Sequence, residues 1–132
     1  MIKIYTASTL KHAPLWVALR DQWPEIEFTA RWPVDHMVGD KPKWAEDEPF
    51  ARIFWQHDLA DVTAADLVLC YGDADEKLQG ALVEAGMALG QGKQVICVGH
   101  SPSFGTWQFH PNVFCVDDLI AARNLLALMA IS

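Results

Sequence analysis

From Ala65 to Gly99 the chain reads ADLVLCYGDADEKLQGALVEAGMALGQGKQVICVG. Two apolar runs of strand length, Ala65 to Asp73 and Lys93 to Gly99, flank a segment of helical spacing from Leu78 to Gln91. Gly92 then stands where a left-handed helix cap belongs. Runs that are apolar at nearly every position suit strands buried on both faces, and a helix between two of them suits a parallel crossover.

Working outward, IKIYTAS from Ile2 to Ser8 reads as a first strand that ends in small hydroxyl residues. Leu15, Trp16, Leu19 and Trp23 then fall three or four apart, which predicts an amphipathic helix from Lys11 to Trp23, stopped near Pro24. A short strand follows around Glu25 to Ala30. Arg31 to Pro49, with three prolines and no clear period, reads as a long loop. A helix is expected from Pro49 to about Thr63, with Phe50, Ile53, Phe54, His57, Asp58 and Asp61 along its faces. After Gly99 come a glycine, proline and serine loop to about Pro111, a strand over Val113 to Val116, and a final helix that Asp117 can cap. This order predicts a single-domain α/β fold, flavodoxin- or Rossmann-like. Its five-stranded, mostly parallel sheet carries helices on both faces and binds ligands beyond the carboxyl ends of the strands.

Composition narrows the function classes. At 132 residues the chain suits one domain with a sizeable core. A formal net charge of -7 supplies no basic footprint for a phosphate backbone, so nucleic acid is not an expected partner. A small anion at a helix start stays open. Cys70, Cys97 and Cys115 lie in apolar runs without C-x-x-C spacing, and they read as reduced core residues. No run of 18 apolar residues occurs, and Met1 leads straight into strand-like sequence, so no membrane partner is expected and the expected location is the cytoplasm. His12, His36, His57, His100 and His110 show no ligand spacing with carboxylates, so no metal is expected. Without a G-x-G-x-x-G turn after the first strand, no dinucleotide cofactor is expected either.

The segment Gly80 to Gly99 resembles the nucleoside 2-deoxyribosyltransferase family, which carries Gly-x-x-x-Glu-x-Gly-x-Ala before Gly-Lys and an apolar strand. The matching positions are Gly80, Glu84, Gly86, Ala88, Gly92 and Lys93. IYTAS resembles the family's first strand, with Tyr5 at its tyrosine position. WQHDLADVTAADLVL, from Trp55 to Leu69, resembles its acidic helix and next strand, with Asp58 at the active-site aspartate and Asp66 at the aspartate that opens the strand. Arg31-Trp32 and the stretch from Val98 to Phe114 resemble a short, phage-associated branch. The resemblance implies cleavage of the N-glycosidic bond of a deoxyribonucleoside or its monophosphate through a glycosyl-Glu84 intermediate, with transfer to another base or to water. It also implies a homodimer or higher homo-oligomer, an expectation that the tryptophan-bearing segment from Arg31 to Pro49 supports. The family's polar sugar contact, six residues before the nucleophile, is here Leu78.

Read physically, these positions agree. Glu84 stands in the first turns of a helix, where partial positive charge favours an ionised nucleophile. A second carboxyl group to orient or protonate the leaving base is expected at Asp58. The Tyr5 hydroxyl can hold Glu84 in one rotamer. Gly80 and Gly86 allow close approach of backbone to a sugar, or tight packing of helix on strand. Trp32 and Trp55 are the stacking candidates for a base, whereas helical spacing makes Trp16 and Trp23 core residues. Ser8 and Thr9 either touch substrate or cap the next helix, with the cap favoured. Taken singly, Glu84 and Asp58 also fit solvated helix faces, and Tyr5 fits a core tyrosine. A rival reading is a non-catalytic nucleotide-binding or sensing module on the same fold.

Overall fold

A computed structural model describes residues 1–38 and 48–131. Five strands form one sheet: β1 (Ile2–Ala7), β2 (Ile26–Phe28), β3 (Leu67–Gly72), β4 (Gln94–Gly99) and β5 (Val113–Val116). Their order is β2-β1-β3-β4-β5, and every neighbouring pair is parallel. The helices are α1 (Ala13–Gln22), α2 (Trp32–Val38), α3 (Glu48–Ala64), α4 (Gly80–Gly90) and α5 (Leu119–Ile131). From β1 the chain crosses to β2 on one side, and from β3 through α4 to β4 on the other, so right-handed crossovers put α1 and α4 on opposite faces. α5 shares the α1 face, where Arg123 stacks over Trp23 at 5.7 Å and pairs with Glu25 at 2.7 Å.

β3 and β4 are buried at nearly every position, as their unbroken apolar runs require. Trp16 and Trp23 lie in the core. On the other face α4 turns Ala81, Ala85 and Ala88 inward. The register aligns Ala7, Cys70 and Cys97 in a row across the sheet, and small side chains on both sides let helix and sheet approach closely. Cys70 and Cys97 are therefore core residues, but Cys115 is exposed, because β5 is an edge strand.

Several boundaries differ from the sequence reading. Trp32–Val38, inside the stretch read as loop, is a helix; residues 39–47 of that stretch lie outside the described residues. The helix is anchored by tertiary contact: Trp32 is buried and its indole N–H donates to the Thr6 carbonyl at 2.8 Å. Pro33 in its first turn is compatible with that start. Short 3-10 turns occupy Leu10–His12, Pro102–Phe104 and Thr106–Phe109. Asp118, not Asp117, caps α5, its Oδ1 accepting the Ala121 N–H at 2.8 Å, while Asp117 faces His100 at 3.1 Å. α4 begins at Gly80, two residues later than the sequence spacing indicates, with Gln79 at the N-cap position and Leu78 buried beside Gly72. No helix among the described residues is long and apolar enough to cross a membrane.

Gly72 and Gly99 face each other at the carboxyl ends of β3 and β4. Gly99 has φ +94°, and a Cβ there would stand 2.3 Å from the Gly72 carbonyl oxygen. Only glycine fits.

Candidate active site

The sheet reverses its winding between β1 and β3, which opens a crevice beyond their carboxyl ends. Three elements deliver polar side chains beneath it. β1 supplies Tyr5, α3 supplies Asp58 and α4 supplies Glu84, with 0%, 2% and 5% of their surface exposed. The Tyr5 hydroxyl donates to Glu84 Oε2. Asp58 lies close enough to Glu84 and Tyr5 for the three groups to interact electrostatically. The register of α3 is held one turn further on, where Asp61 accepts the Arg31 backbone N–H and Nε, each at 3.0 Å.

Burial sets the electrostatics. It raises Glu84 well above the usual carboxylate range, and the nearby Asp58 charge raises it further; the Tyr5 hydrogen bond pulls it back. Burial likewise pushes Asp58 up to about 7, against the hydrogen bonds from Glu84 and Tyr5 that lower it. The charge-stabilising effect expected of the helix start does not govern Glu84, which lies in the second turn of α4 and is almost wholly out of water. Two adjacent buried carboxyl groups cannot both ionise cheaply, so near neutrality the pair keeps a shared proton. Burial, reinforced by Glu84 and Asp58, drives the Tyr5 hydroxyl up, which makes it a donor at any ordinary pH.

Above Glu84 lies a cavity of about 340 Å³ whose walls include Ser8, Thr9, Trp32, Trp55 and Gly80. Trp55 lies over the start of α4, its ring 3.6 Å from where a Gly80 Cβ would be, and it is partly exposed. Trp32 has its indole N–H tied to the Thr6 carbonyl, so it lines the cavity with no free donor. Gly86 does not belong to this group: it faces outward from α4 with nothing within 4 Å of a built Cβ, so neither backbone approach to a sugar nor packing on a strand explains it. Neither the Ser8 nor the Thr9 side chain caps a helix, although Thr9 stands at the N-cap position of the Leu10–His12 turn. Thr9 makes no side-chain cap bond and donates instead to Glu76 at 2.7 Å, while Ser8 donates to the Thr9 carbonyl at 2.9 Å.

Leu78 is buried away from the cavity, which its neighbours Lys77 and Gln79 line instead. Asp66 works at the far edge of the sheet, where its Oδ2 accepts the Lys3 N–H at 2.8 Å and ties β3 to β1. Lys93 closes α3 by donating to the Val62 and Thr63 carbonyls, both at 2.7 Å.

Glu76 was not visible as a site residue, since one acid in an acidic turn carries no sequence signal. It is buried, and it gathers Thr9, His12 and the Asp73 N–H within 2.9 Å. His12, Asp73 and Glu76 form a His/carboxylate group that sequence spacing did not reveal, with ligand atoms within 4.8 Å of one another. Protein donors already occupy both Glu76 oxygens.

No family model matches the chain, and no curated protein matches it by sequence. Solved structures do. A conserved protein from Enterococcus faecalis V583 superposes with a TM-score of 0.66 at 18% identity, over 98% of this chain and 99% of that one. The CMP N-glycosidase BcmB of Clostridium botulinum superposes with a TM-score of 0.54 at 15% identity, over 97% of this chain and 98% of its own. At these identities the likeness is one of fold.

Proposed function

We propose that this chain cleaves the N-glycosidic bond of a deoxyribonucleoside or its monophosphate. The observation that carries this reading is the buried Asp58–Glu84 carboxyl pair with its Tyr5 donor, at the foot of a cavity walled by Trp32 and Trp55. The likeness in fold to a CMP N-glycosidase supports the same reaction class.

In the first half-reaction the ionised Glu84 attacks the anomeric carbon, the bond from that carbon to the base breaks, and the base leaves with the proton held by the carboxyl pair. Asp58 orients the base and passes that proton. In the second half, a base nitrogen or a water oxygen attacks the same carbon and displaces Glu84, and the proton it loses returns to the pair. Transfer and hydrolysis share the first half and differ in which acceptor the cavity admits. Trp55 offers a face for stacking the base, and Gly80 leaves room beside it. Exposed Ile53 and Leu59 on α3 and Val83 on α4 leave apolar surface for a second copy of the chain to cover, which supports a homodimer or higher homo-oligomer.

The rival is a module that binds nucleotide without turnover, and the buried Leu78, which offers no polar contact to a sugar, favours it. Mixing the protein with a panel of deoxyribonucleosides and their monophosphates separates the two. Release of free base supports the enzyme; tight binding with no release supports the module.

A further inference from the structure

Glu76 is a buried carboxylate that the reaction above does not use. Its Oε2 takes the Thr9 hydroxyl at 2.7 Å, and its Oε1 takes His12 Nε2 at 2.7 Å and the Asp73 N–H at 2.9 Å. Lys11 Nζ stands 3.7 Å away, and the Glu76 carbonyl accepts the Ser101 hydroxyl at 2.6 Å. Burial pushes this carboxyl up, but the hydrogen bonds from Thr9, Asp73 and His12 outweigh it and hold it down at about 2. One ionised side chain thus joins the turn after β1 to the turn after β3 at the rim of the cavity.

Two hydroxyl groups at this rim have fixed directions, that of Thr9 set by Glu76 and that of Ser8 by its own partners. A carboxylate has no proton to give, so Thr9 must spend its only hydroxyl proton on Glu76. Ser8 spends its proton on the Thr9 carbonyl at 2.9 Å and one lone pair on the Trp16 indole N–H at 2.8 Å. Both residues line the cavity, and both retain lone pairs but no proton for it. Lys77 and Gln79, by contrast, line it with donors.

We propose that Glu76 is a positioning residue that fixes Thr9, with Ser8, as a hydrogen-bond acceptor for a hydroxyl of the substrate's sugar. This rests on the proposed reaction, because it takes the sugar to lie against Glu84. Ser8 and Thr9 follow the strand that carries Tyr5, the partner of Glu84, and they line the same cavity as Glu84, so the sugar rather than the base is placed beside them. A phosphate, which has only acceptors to offer, is turned away from these two residues and towards Lys77.

The test combines Thr9→Val, Thr9→Ser and Glu76→Gln with substrates lacking either the 3′-hydroxyl or the exocyclic amino group of the base. Loss of one neutral hydrogen bond predicts a roughly three- to tenfold fall in kcat/KM when the wild type meets the 3′-deoxy substrate. Thr9→Val should show the same fall on the parent substrate and no further fall on the 3′-deoxy one, whereas Thr9→Ser should behave as wild type. Glu76→Gln, whose amide N–H can return the Thr9 proton to the cavity, should also lose the preference for the 3′-hydroxyl. A merely structural role would lower the rates on both substrates together. The inference is overturned if Thr9→Val keeps the wild-type preference for the 3′-hydroxyl, or loses a preference for the base amino group instead. If no parent substrate releases base, the proposed reaction fails by itself. The same comparison made on dissociation constants then decides the inference, and no binding of any parent substrate overturns it.

Discussion

The Tyr5 hydroxyl donates its hydrogen bond to Glu84, 79 residues away along the chain, and both side chains are almost wholly buried. That bond opposes the rise that burial imposes on Glu84. Tyr5→Phe removes it without removing the ring. The expected result is a kcat lowered by roughly tenfold, in line with a lost hydrogen bond to a charged group, and an acid limb of the pH–rate profile moved to higher pH. Initial rates of base release across pH check both.

The carboxyl pair predicts a stability cost at neutral pH. Asp58 has a folded pKa of about 7, against an ordinary 3.8, because burial opposes its charge. The folded state therefore binds more protons than the unfolded state between those values, and stability falls as pH rises from about 4 to 7. Asp58→Asn should flatten that fall and stabilise the protein by ~2–4 kcal/mol at pH 8. Glu76 works in the opposite sense: its folded value near 2 contributes stability that is lost as pH falls through that value. Urea unfolding from pH 2 to pH 8 measures both arms.

Two glycines should respond oppositely to alanine. Gly99→Ala places a Cβ against the Gly72 carbonyl at a φ of +94° and should lower Tm by several degrees, consistent with a cost of ~1–3 kcal/mol. Gly86 lies within α4 with open space around it, so Gly86→Ala should be neutral or stabilising by up to ~1 kcal/mol. Thermal unfolding of the two variants beside wild type decides.

The sheet was legible because β3 and β4 are apolar at almost every position and α4 shows a helical period between them. α2 was not, because its seven residues owe their helix to Trp32 docking on the Thr6 carbonyl, a contact that local spacing does not encode. The same holds for the site. A sequence motif pointed to Tyr5, Asp58 and Glu84, and their convergence followed from a parallel topology. Glu76 escaped notice because its partners Thr9 and His12 come from a turn more than 60 residues away in the chain. Glu84 is a related case: its place near the helix start is local, whereas the burial that governs its charge is a property of the assembled fold.

The central claim is that Glu84 becomes covalently bonded to the sugar. Glu84→Gln should abolish turnover while leaving fold and ligand binding intact, since an amide is no nucleophile. The most direct measurement is rapid acid quenching of the wild type during turnover of a monophosphate or nucleoside that it cleaves, followed by intact-mass and peptide analysis. The account predicts a sugar-sized adduct on the peptide that holds Glu84, absent from Glu84→Gln. Undiminished base release by Glu84→Gln, with no adduct on the wild type at any quench time, would contradict it.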